Sequence, residues 1–563
     1  MSAARSRWLT AAVILLLVAG ALVWATGRGD RRRPAGTADQ ATAIRDGGTV
    51  TFAANGEPTG FNPNTSANNA PAVQDVVGNV LPSVFRTHPD FSVRLDGELM
   101  AGAELTSERP QTVTYRIRAD AVWSDGTPIS DDDFTYLWRR SNGSDRRIDV
   151  VSTTGYQDIE RVTGSPDGKT VTVRFARPFA DWRTLFSNLL PSHSVERQRG
   201  GWSTGLDRRP ELIPSGGPFR ITRYERGQSL TLARNPRWWG RPAHLDQIVF
   251  QFLPDAMAQA AAIRNDEVDV AYVPQPQVDV VRTVQGLPGV ASQVRLGLSF
   301  EHLTFNLAHP ILRDVAVREA IALAIDGQQL LERTVGQISD RARVLGNRIW
   351  LVGQPGYEDH SGGYGRGDLA AAAARLERAG WTEGAGGVRV RNGRKLQLRY
   401  STTQGVRGRE QAGELLQDQL AKVGMELELR PVDGGTLFGD RLPNGGFDIA
   451  AFAWLGGPNA VSGSQDTYVT GGAQNYGRFS DPEVDALFEQ ATAELDPDRS
   501  IALANQIDRR LWQGLHSIPL YQRPTFLAWR ATLRNLADNP TTEGPLWNAE
   551  SWGFAAGTTA PAP

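Results

Sequence analysis

The chain of 563 residues carries 60 basic and 62 acidic side chains, and its net charge of −2 argues against a dedicated nucleic-acid-binding protein. It contains no cysteine, which excludes disulfides, thiolate catalysis, cysteine-ligated metal centres and a lipidated cysteine. At about 150 residues per domain, the length predicts two to four domains.

The N-terminus contains the one stretch of the sequence that is long and apolar enough to cross a membrane. An uncharged segment runs from Trp8 to Ala25, and at about 1.5 Å per residue it would span about 27 Å, the lower limit for a bilayer. Residues 1–27 are therefore predicted to be a signal peptide or an uncleaved membrane anchor, and the sequence leaves both alternatives open. Residues 28–46 form a predicted basic linker. In either case we expect the rest of the chain at the extracytoplasmic face of the cell membrane or secreted into the cell envelope.

The first half of the chain after the linker is predicted to consist mainly of strands. Apolar and polar residues alternate over residues 112–117 and again over 170–175, a period of two that is typical of half-buried strands. Residues 219–224 and 229–233 predict a hairpin around Gly227.

The second half is predicted to alternate helices and strands. Residues 411–423 place apolar side chains on one helical face between strands at 396–401 and 425–429, which indicates a parallel strand–helix–strand unit. Asp368 is the predicted N-cap of a further helix and Gly380 its stop signal. The remaining predicted elements are helices at 311–326, 482–495 and 501–515 and a strand at 447–454.

No motif of a known catalytic centre is present in the sequence. There is no His-Glu-x-x-His helix, no Gly-x-Ser-x-Gly elbow and no phosphate-binding loop, and the 7 histidines do not pair at metal-ligand spacing. The run Asp131–Asp133 follows Ser130 and precedes apolar residues, so these carboxylates predict a helix start rather than a cation site. We therefore expect no enzymatic activity, no metal and no cofactor.

Six sequence blocks, taken in their order, resemble those of a known protein family. The most specific block begins at Trp123 and reads WSDGTPISDDDF. The other blocks are residues 216–219, 234–248, 266–269, 305–326 and 447–485. Over residues 48–530 the chain resembles the extracellular solute-binding proteins of ABC importers, family 5, the group that binds oligopeptides, dipeptides and nickel. The scarcity of lysine is typical of an actinobacterial member.

The resemblance implies an α/β fold of two lobes around a cleft. This is the type II periplasmic-binding-protein fold of the large peptide-binding class, with an extra subdomain in the first lobe. The ligand is expected between the lobes, which close around it by a hinge. The implied boundaries are 46–86, 214–300 and 517–554 for lobe I, 87–213 for the extra subdomain, 301–516 for lobe II and 555–563 for a disordered tail.

The resemblance also implies a set of ligand-binding residues. Trp454 ends a predicted strand and matches a cleft tryptophan of the relatives, with packing in the core as the alternative. Arg441 matches a cleft arginine only approximately, and a solvent-exposed arginine fits the pattern equally well. The further candidates are Asn475, Tyr521, Asn68 and Asn69, and the alternative for the last two is a role in a turn.

One departure from the family pattern concerns the charge of the ligand. Peptide-binding relatives carry an aspartate three residues after the matching tryptophan, where it pairs with the ammonium group of the ligand. In this chain that position is Gly457. Asp466 is a candidate replacement if its loop folds back into the cleft. Because an unpaired buried ammonium is costly, we expect no strong preference for ligands with a free α-amino group.

Two functions follow from the resemblance. In the first, the chain captures a peptide or peptide-like solute and delivers it to the permease subunits of an ABC importer, as a monomer that binds no nucleic acid. In the second, the same fold serves outside transport, binds a glycolipid, a glycan or a protein partner, and regulates assembly of the cell envelope. The sequence leaves both functions open.

Overall fold

The structure is a computed structural model that describes residues 44–557. The predicted signal peptide or anchor and most of the predicted linker lie outside the described residues, as do residues 558–563. Within the described range, no helix combines the length and the apolar character that crossing a membrane requires.

The strands are numbered in chain order. They are β1 Ile44–Arg45, β2 Thr49–Ala54, β3 Phe85–Thr87, β4 Val93–Leu95, β5 Met100–Glu108, β6 Gln111–Ile117, β7 Ile159–Gly164, β8 Thr170–Phe175, β9 Phe219–Glu225, β10 Ser229–Arg234, β11 Gln247–Phe252, β12 Val270–Val273, β13 Val290–Phe305, β14 Val390–Arg391, β15 Arg394–Lys395, β16 Gln397–Thr403, β17 Glu426–Val432, β18 Ile449–Leu455, β19 Ser517–Arg530, β20 Leu533–Arg534 and β21 Gly553–Ala555.

The α-helices are numbered in the same way. They are α1 Pro71–Val77, α2 Asp131–Ser141, α3 Ser192–Val195, α4 Gly201–Thr204, α5 Ala256–Arg264, α6 Val278–Gln285, α7 Val315–Ala324, α8 Gly327–Arg333, α9 Leu369–Arg378, α10 Arg407–Ala421, α11 Gly434–Thr436, α12 Leu442–Asn444, α13 Ala460–Tyr468, α14 Pro482–Ala493 and α15 Pro497–Gly514.

One 10-stranded sheet of the described residues extends through both lobes, in the order β17-β16-β18-β13-β19-β12-β2-β11-β10-β9. Its two central strands, β13 and β19, are long, pair antiparallel and continue from one lobe into the other. The register of this pair shifts between Leu296 and Phe300. Because such irregularities bend a strand, this point of the central pair is where the sheet changes direction between the lobes.

Each lobe has its own hydrophobic core. The first core surrounds Phe52, Trp123 and Phe250 and includes the inner face of a 4-stranded sheet, β5-β6-β8-β7, that belongs to the extra subdomain. The second core surrounds Tyr400 and Trp512. Since the cores are separate, the lobes can move as units about the strands that join them.

Several local predictions are confirmed. β9 and β10 pair antiparallel around Gly227, whose φ of +72° lies in the left-handed region. The parallel strand–helix–strand unit is β16, α10 and β17. The carboxylate of Asp368 accepts a hydrogen bond of 2.9 Å from the backbone N–H of Ala371 and caps α9. Ser130 and Asp133 form a capping box at the start of α2, so the acidic run is a helix start.

Three predicted boundaries differ from the structure. The helix predicted over 311–326 begins only at Val315, because the side chain of Asp314 caps it there. The predicted linker ends earlier, since Ile44–Arg45 form β1. Ala555, the first residue assigned to the predicted tail, is instead the last residue of β21 and pairs with β1.

Candidate ligand-binding site

Two cavities lie along the loop that follows β18, residues 455–459. The smaller one, which we call the aromatic pocket, measures about 60 Å³ and is lined mainly by Leu298, Phe300, Trp454, Gly457, Gly463 and Thr467. The larger one, which we call the polar cavity, measures about 290 Å³, and its lining includes Asn64, Asn69, Gln74, Arg183, Asn188 and Pro458. Pro458 belongs to the second lobe, so the polar cavity lies between the lobes.

Trp454 belongs to an aromatic cluster at the end of β18. Its ring stacks with that of His302, with 5.5 Å between centroids and 18° between planes. It also stacks with Tyr476, at 5.9 Å and 12°, and meets Phe452 edge-on at 5.0 Å. Trp454 is half-buried and lines the aromatic pocket. These contacts fix the orientation of the indole while part of its surface stays open to the pocket.

His302 supports this cluster as an uncharged ring. It is buried on β13, next to Phe452 and Trp454 on the neighbouring strand. Burial, with a smaller contribution from the charge of Arg409, lowers the pKa of the imidazole to about 3. At neutral pH the ring is therefore neutral and packs as an apolar group.

The loop 455–459 presents backbone and one apolar side chain to the cleft. The backbone N–H of Gly456 donates to the carbonyl of Leu298 at 2.8 Å, and Leu455 is 76% exposed. At Gly457 a Cβ atom would lie 2.7 Å from Oδ1 of Asn459, so a side chain there requires Asn459 to move. Within the described residues, the lining of the aromatic pocket contains no carboxylate. A partner for a ligand ammonium is thus absent from this pocket.

A direct contact joins the extra subdomain to the second lobe across the cleft. The hydroxyl of Ser462 donates to Oδ2 of Asp181 at 2.6 Å, and the backbone N–H of Ser462 donates to the same oxygen at 3.3 Å. Next to it, the backbone N–H of Ala180 donates to the carbonyl of Thr492 at 2.8 Å. Burial raises the pKa of the Asp181 carboxyl. These polar contacts hold the two lobes together in this structure.

Arg183 and Glu543 are the charged residues on the described lining of the polar cavity. Glu543 accepts hydrogen bonds from Nε of Arg86 at 3.4 Å and from the backbone N–H of Thr87 at 3.2 Å. The guanidinium of Arg183 lies 4.5 Å from the centroid of the Trp182 ring. The two charges therefore differ in their surroundings, since only Glu543 has an ionic partner in the protein.

Three of the residues predicted from the sequence line one or the other of the two cavities. Trp454 and Gly457 line the aromatic pocket, and Asn69 lines the polar cavity. The others do not line either cavity in the described part of the chain: Asn68, Arg441, Asp466, Asn475 and Tyr521.

The side chains of Asn475 and Tyr521 are occupied by the fold. Nδ2 of Asn475 donates to the carbonyl of Val469 at 2.9 Å and to that of Phe479 at 2.7 Å, which braces the loop before α14. Tyr521 is buried in the core of the second lobe, and burial raises the pKa of its hydroxyl. Their roles in binding stay predictions.

The remaining three candidates have different surroundings. Asn68 is buried and accepts a hydrogen bond from the hydroxyl of Thr59 at 3.1 Å. Arg441 donates to a backbone carbonyl of its own segment at 3.3 Å. Asp466 is exposed and lies on α13, two positions from Ser464, which lines the aromatic pocket. Asp466 is not among the residues that line the aromatic pocket, although its neighbour Thr467 is.

Sequence reasoning missed Arg183 and the contact between Asp181 and Ser462. The contact joins residues 281 positions apart, and neither partner lies in a periodic pattern. Arg183 occurs in a short irregular segment among many other arginines, so nothing local distinguishes it.

Comparison with known proteins gives consistent matches along most of the chain. The family model of the bacterial extracellular solute-binding proteins, family 5 Middle, matches residues 97–476. The oligopeptide-binding protein OppA of Mycobacterium tuberculosis is 33% identical over 549 residues, which cover 94% of this chain and 91% of OppA. The probable monoacyl phosphatidylinositol tetramannoside-binding protein LpqW of the same species is 33% identical over 306 residues, 53% of this chain and 47% of LpqW. The solved structure of the periplasmic EDTA-binding protein EppA is similar with a TM-score of 0.86 and 32% identity, covering 91% of this chain and 97% of EppA.

Proposed function

The chain belongs to the bacterial extracellular solute-binding proteins of family 5, and from this premise we propose that it captures a peptide or peptide-like solute between its two lobes and delivers it to the permease subunits of an ABC importer. OppA, the relative that aligns over 94% of the chain, is an oligopeptide-binding protein. In this proposal the protein acts as a monomer, performs no chemical step and needs no cofactor.

The presence of two cavities along the loop 455–459 is the observation that carries this proposal. The aromatic pocket and the polar cavity both reach this loop, and its Leu455 side chain is 76% exposed. We propose that an extended ligand lies along the loop, contacts Leu455 and Trp454, and is enclosed from the other side by the first lobe and its subdomain. An extended backbone suits such a groove because loop backbone groups can pair with it.

The division of the chain into lobes supports a hinge. We propose that lobe I consists of residues 46–86, 214–300 and 517–554, with the extra subdomain at 87–213 and lobe II at 301–516. The first residues of β19, up to Tyr521, pack in the core of lobe II, so β19 crosses the junction. The irregular register of β13 and β19 lies at the junction of these pieces. Bending there would open and close the cleft.

We further propose that the lobes act outside the cytoplasm. Residues 1–27 would direct export, either as a cleaved signal peptide or as a retained anchor. An anchor would keep the lobes near a permease, whereas a cleaved chain would be secreted into the cell envelope.

The non-transport function in envelope assembly is not favoured. OppA aligns over 94% of this chain, whereas LpqW aligns over 53%. The polar cavity is also small for a glycolipid with several sugars, since it measures about 290 Å³.

Native mass spectrometry of the purified full chain tests the proposal. The chain is mixed with synthetic peptides of two to nine residues, and the expected result is a one-to-one complex that dissociates when the protein unfolds. Trp454→Ala should weaken retention at least tenfold, because it removes a wall of the aromatic pocket. Trp238→Ala is the matched control, since Trp238 is also half-buried but lines neither cavity. Retention of a co-purified lipid or glycan with no peptide bound would contradict the proposal.

A further inference from the structure

Arg183 is a cation for which the described part of the chain supplies no anion. Its side chain is exposed to the polar cavity, and its one described contact through the guanidinium is the ring of Trp182 at 4.5 Å. Within residues 44–557 it forms neither a hydrogen bond nor an ion pair. Burial by the surrounding atoms lowers its pKa, and the hydroxyl of Tyr115 opposes this shift. An arginine nevertheless stays protonated at neutral pH, so the cavity carries an uncompensated positive charge.

The other groups of the polar cavity complement a negatively charged ligand group. Glu543 is the one carboxylate of the described lining, and Arg86 and Thr87 already bind it. Asn69 and Gln74 keep their amide NH₂ groups without a protein acceptor in the described part of the chain. A guanidinium and amide donors on the lining of one cavity are the kinds of group that bind a carboxylate.

The described lining of the aromatic pocket, on the other side of the loop 455–459, contains no carboxylate for a ligand cation. Its one charged lining residue among those described is Arg348, which is paired with Asp508 at 3.4 Å. The ligand space as a whole therefore favours negative charge over positive charge.

We propose that the polar cavity binds a carboxylate group of the solute and that Arg183 is the residue that pairs with it. This inference rests on the proposed function and assigns a chemical class to its ligand, namely a solute with at least one carboxylate and no need for a free ammonium. The carboxylate comes from the C-terminus of a peptide or from an acidic side chain, and both sources present the same group to the guanidinium.

The test compares matched peptides that differ in one carboxylate. Synthetic peptides are offered to the purified full chain in equimolar pairs, as C-terminal acid and C-terminal amide, and as amides with glutamate or glutamine in one position. Native mass spectrometry measures the ratio of the two forms that are retained. We expect the carboxylate form of at least one kind of pair to be retained tenfold or more over its neutral partner, which corresponds to about 1.4 kcal/mol.

Three variants connect this preference to one side chain. Arg183→Gln should bring the ratio close to one, because the carboxylate forms lose the guanidinium that pairs with them. Arg183→Lys should keep part of the preference, because it retains the charge and loses the planar fork. Arg199→Gln is the matched control, since Arg199 is an exposed arginine of the same subdomain that lines neither cavity. Thermal unfolding of each variant verifies that it is folded.

A second measurement separates this inference from the proposed function. Citrate, a small tricarboxylate, is titrated by calorimetry into the wild type and Arg183→Gln, and binding should be at least tenfold weaker in the variant. If no peptide is retained but citrate binds through Arg183, the proposed function fails and the carboxylate site stands. If peptides are retained with ratios near one in both kinds of pair, the function stands and the inference is overturned. Absence of both the peptide preference and citrate binding overturns the inference as well.

Discussion

Replacing Asp508 with asparagine is expected to destabilise the second lobe strongly. Asp508 is fully buried on α15, where its carboxylate accepts hydrogen bonds from the backbone N–H of Arg348 at 2.9 Å and from Nδ1 of His360 at 2.8 Å. It also lies 3.4 Å from Nη1 of Arg348, whose side chain is 1% exposed. Asparagine preserves the shape and removes the charge, so a buried guanidinium loses its counter-ion. Breaking a buried ion pair in this way costs about 3–5 kcal/mol.

The surroundings of Arg348 place the expected cost near the lower end of this range. Its guanidinium donates to the hydroxyl of Ser517 at 3.1 Å and to the carbonyl of Ser517 at 2.6 Å, and it lies 4.0 Å from the centroid of the Trp512 ring. These contacts remain in the variant, so we expect a loss of about 3 kcal/mol. At about 2–4 °C per kcal/mol for a unit of this size, the melting temperature should fall by about 6–12 °C.

Differential scanning calorimetry of the full chain measures this shift. Asp498→Asn is the control, because Asp498 is exposed on the same helix and the chemical change is identical. Its stability should change by less than about 0.5 kcal/mol. If Asp508→Asn melts within about 2 °C of the control, less than the shift expected for the loss of even one kcal/mol, the buried charge of Arg348 is not held by Asp508 and the reasoning is refuted.

Three further predictions address closure, specificity and pH. Ser462→Ala removes the hydroxyl that donates to Asp181 across the cleft. Small-angle scattering of the ligand-free variant should therefore give a larger radius of gyration. The control, Ser464→Ala, should leave the profile unchanged, because its hydroxyl donates to carbonyls of its own helix. Gly457→Asp should create a preference of about tenfold for peptides with a free α-amino group over their N-acetylated forms, because it supplies a carboxylate at the aromatic pocket. Calorimetry measures the two affinities, and equal values would contradict the placement of the ligand along this loop. Burial raises the pKa of Asp75 to about 7. Since this pKa lies above the unfolded value of about 3.9, the contribution of Asp75 to stability should fall as the pH rises from about 4 to about 7. The stability of Asp75→Asn relative to the wild type should therefore grow over this range in thermal unfolding. A constant difference between the two proteins would speak against a buried carboxyl at this position.

Local structure was predictable because its determinants lie within a few residues of each other. The alternation of apolar and polar residues over β6 and β8 predicts strands with one buried face, and in the structure every second residue of these strands is buried. Asp368 was readable as an N-cap because it directly precedes an alanine-rich helical segment that Gly380 ends, and its carboxylate accepts a hydrogen bond from the backbone N–H of Ala371. The start of α7 was predicted too early, because the apolar pattern continues past the capping residue Asp314 into the preceding turn.

The binding site was predictable only in part. Trp454 and Gly457, which the family pattern marks at the end of a strand, line the aromatic pocket, and their roles in binding stay predictions. Asn475 and Tyr521 match the family pattern equally well, yet their side chains are engaged in a loop and in the core. The importance of Arg183 depends on the absence of a nearby carboxylate, and an absent partner is a property of the folded chain that no local pattern contains.

The pairing of the first strands with the last ones has a consequence for the biosynthesis of the protein. β1 pairs with β21, and β12, the neighbour of β2, pairs on its other side with β19. A chain that is synthesised from its N-terminus must therefore hold β1 and one edge of β12 unpaired until the final segment arrives. A chain cut short before Ser517 would leave the edges of β1 and β12 open, and open edges invite aggregation and proteolysis. Only a chain that includes the final strands can therefore complete the strand pairing of the first lobe.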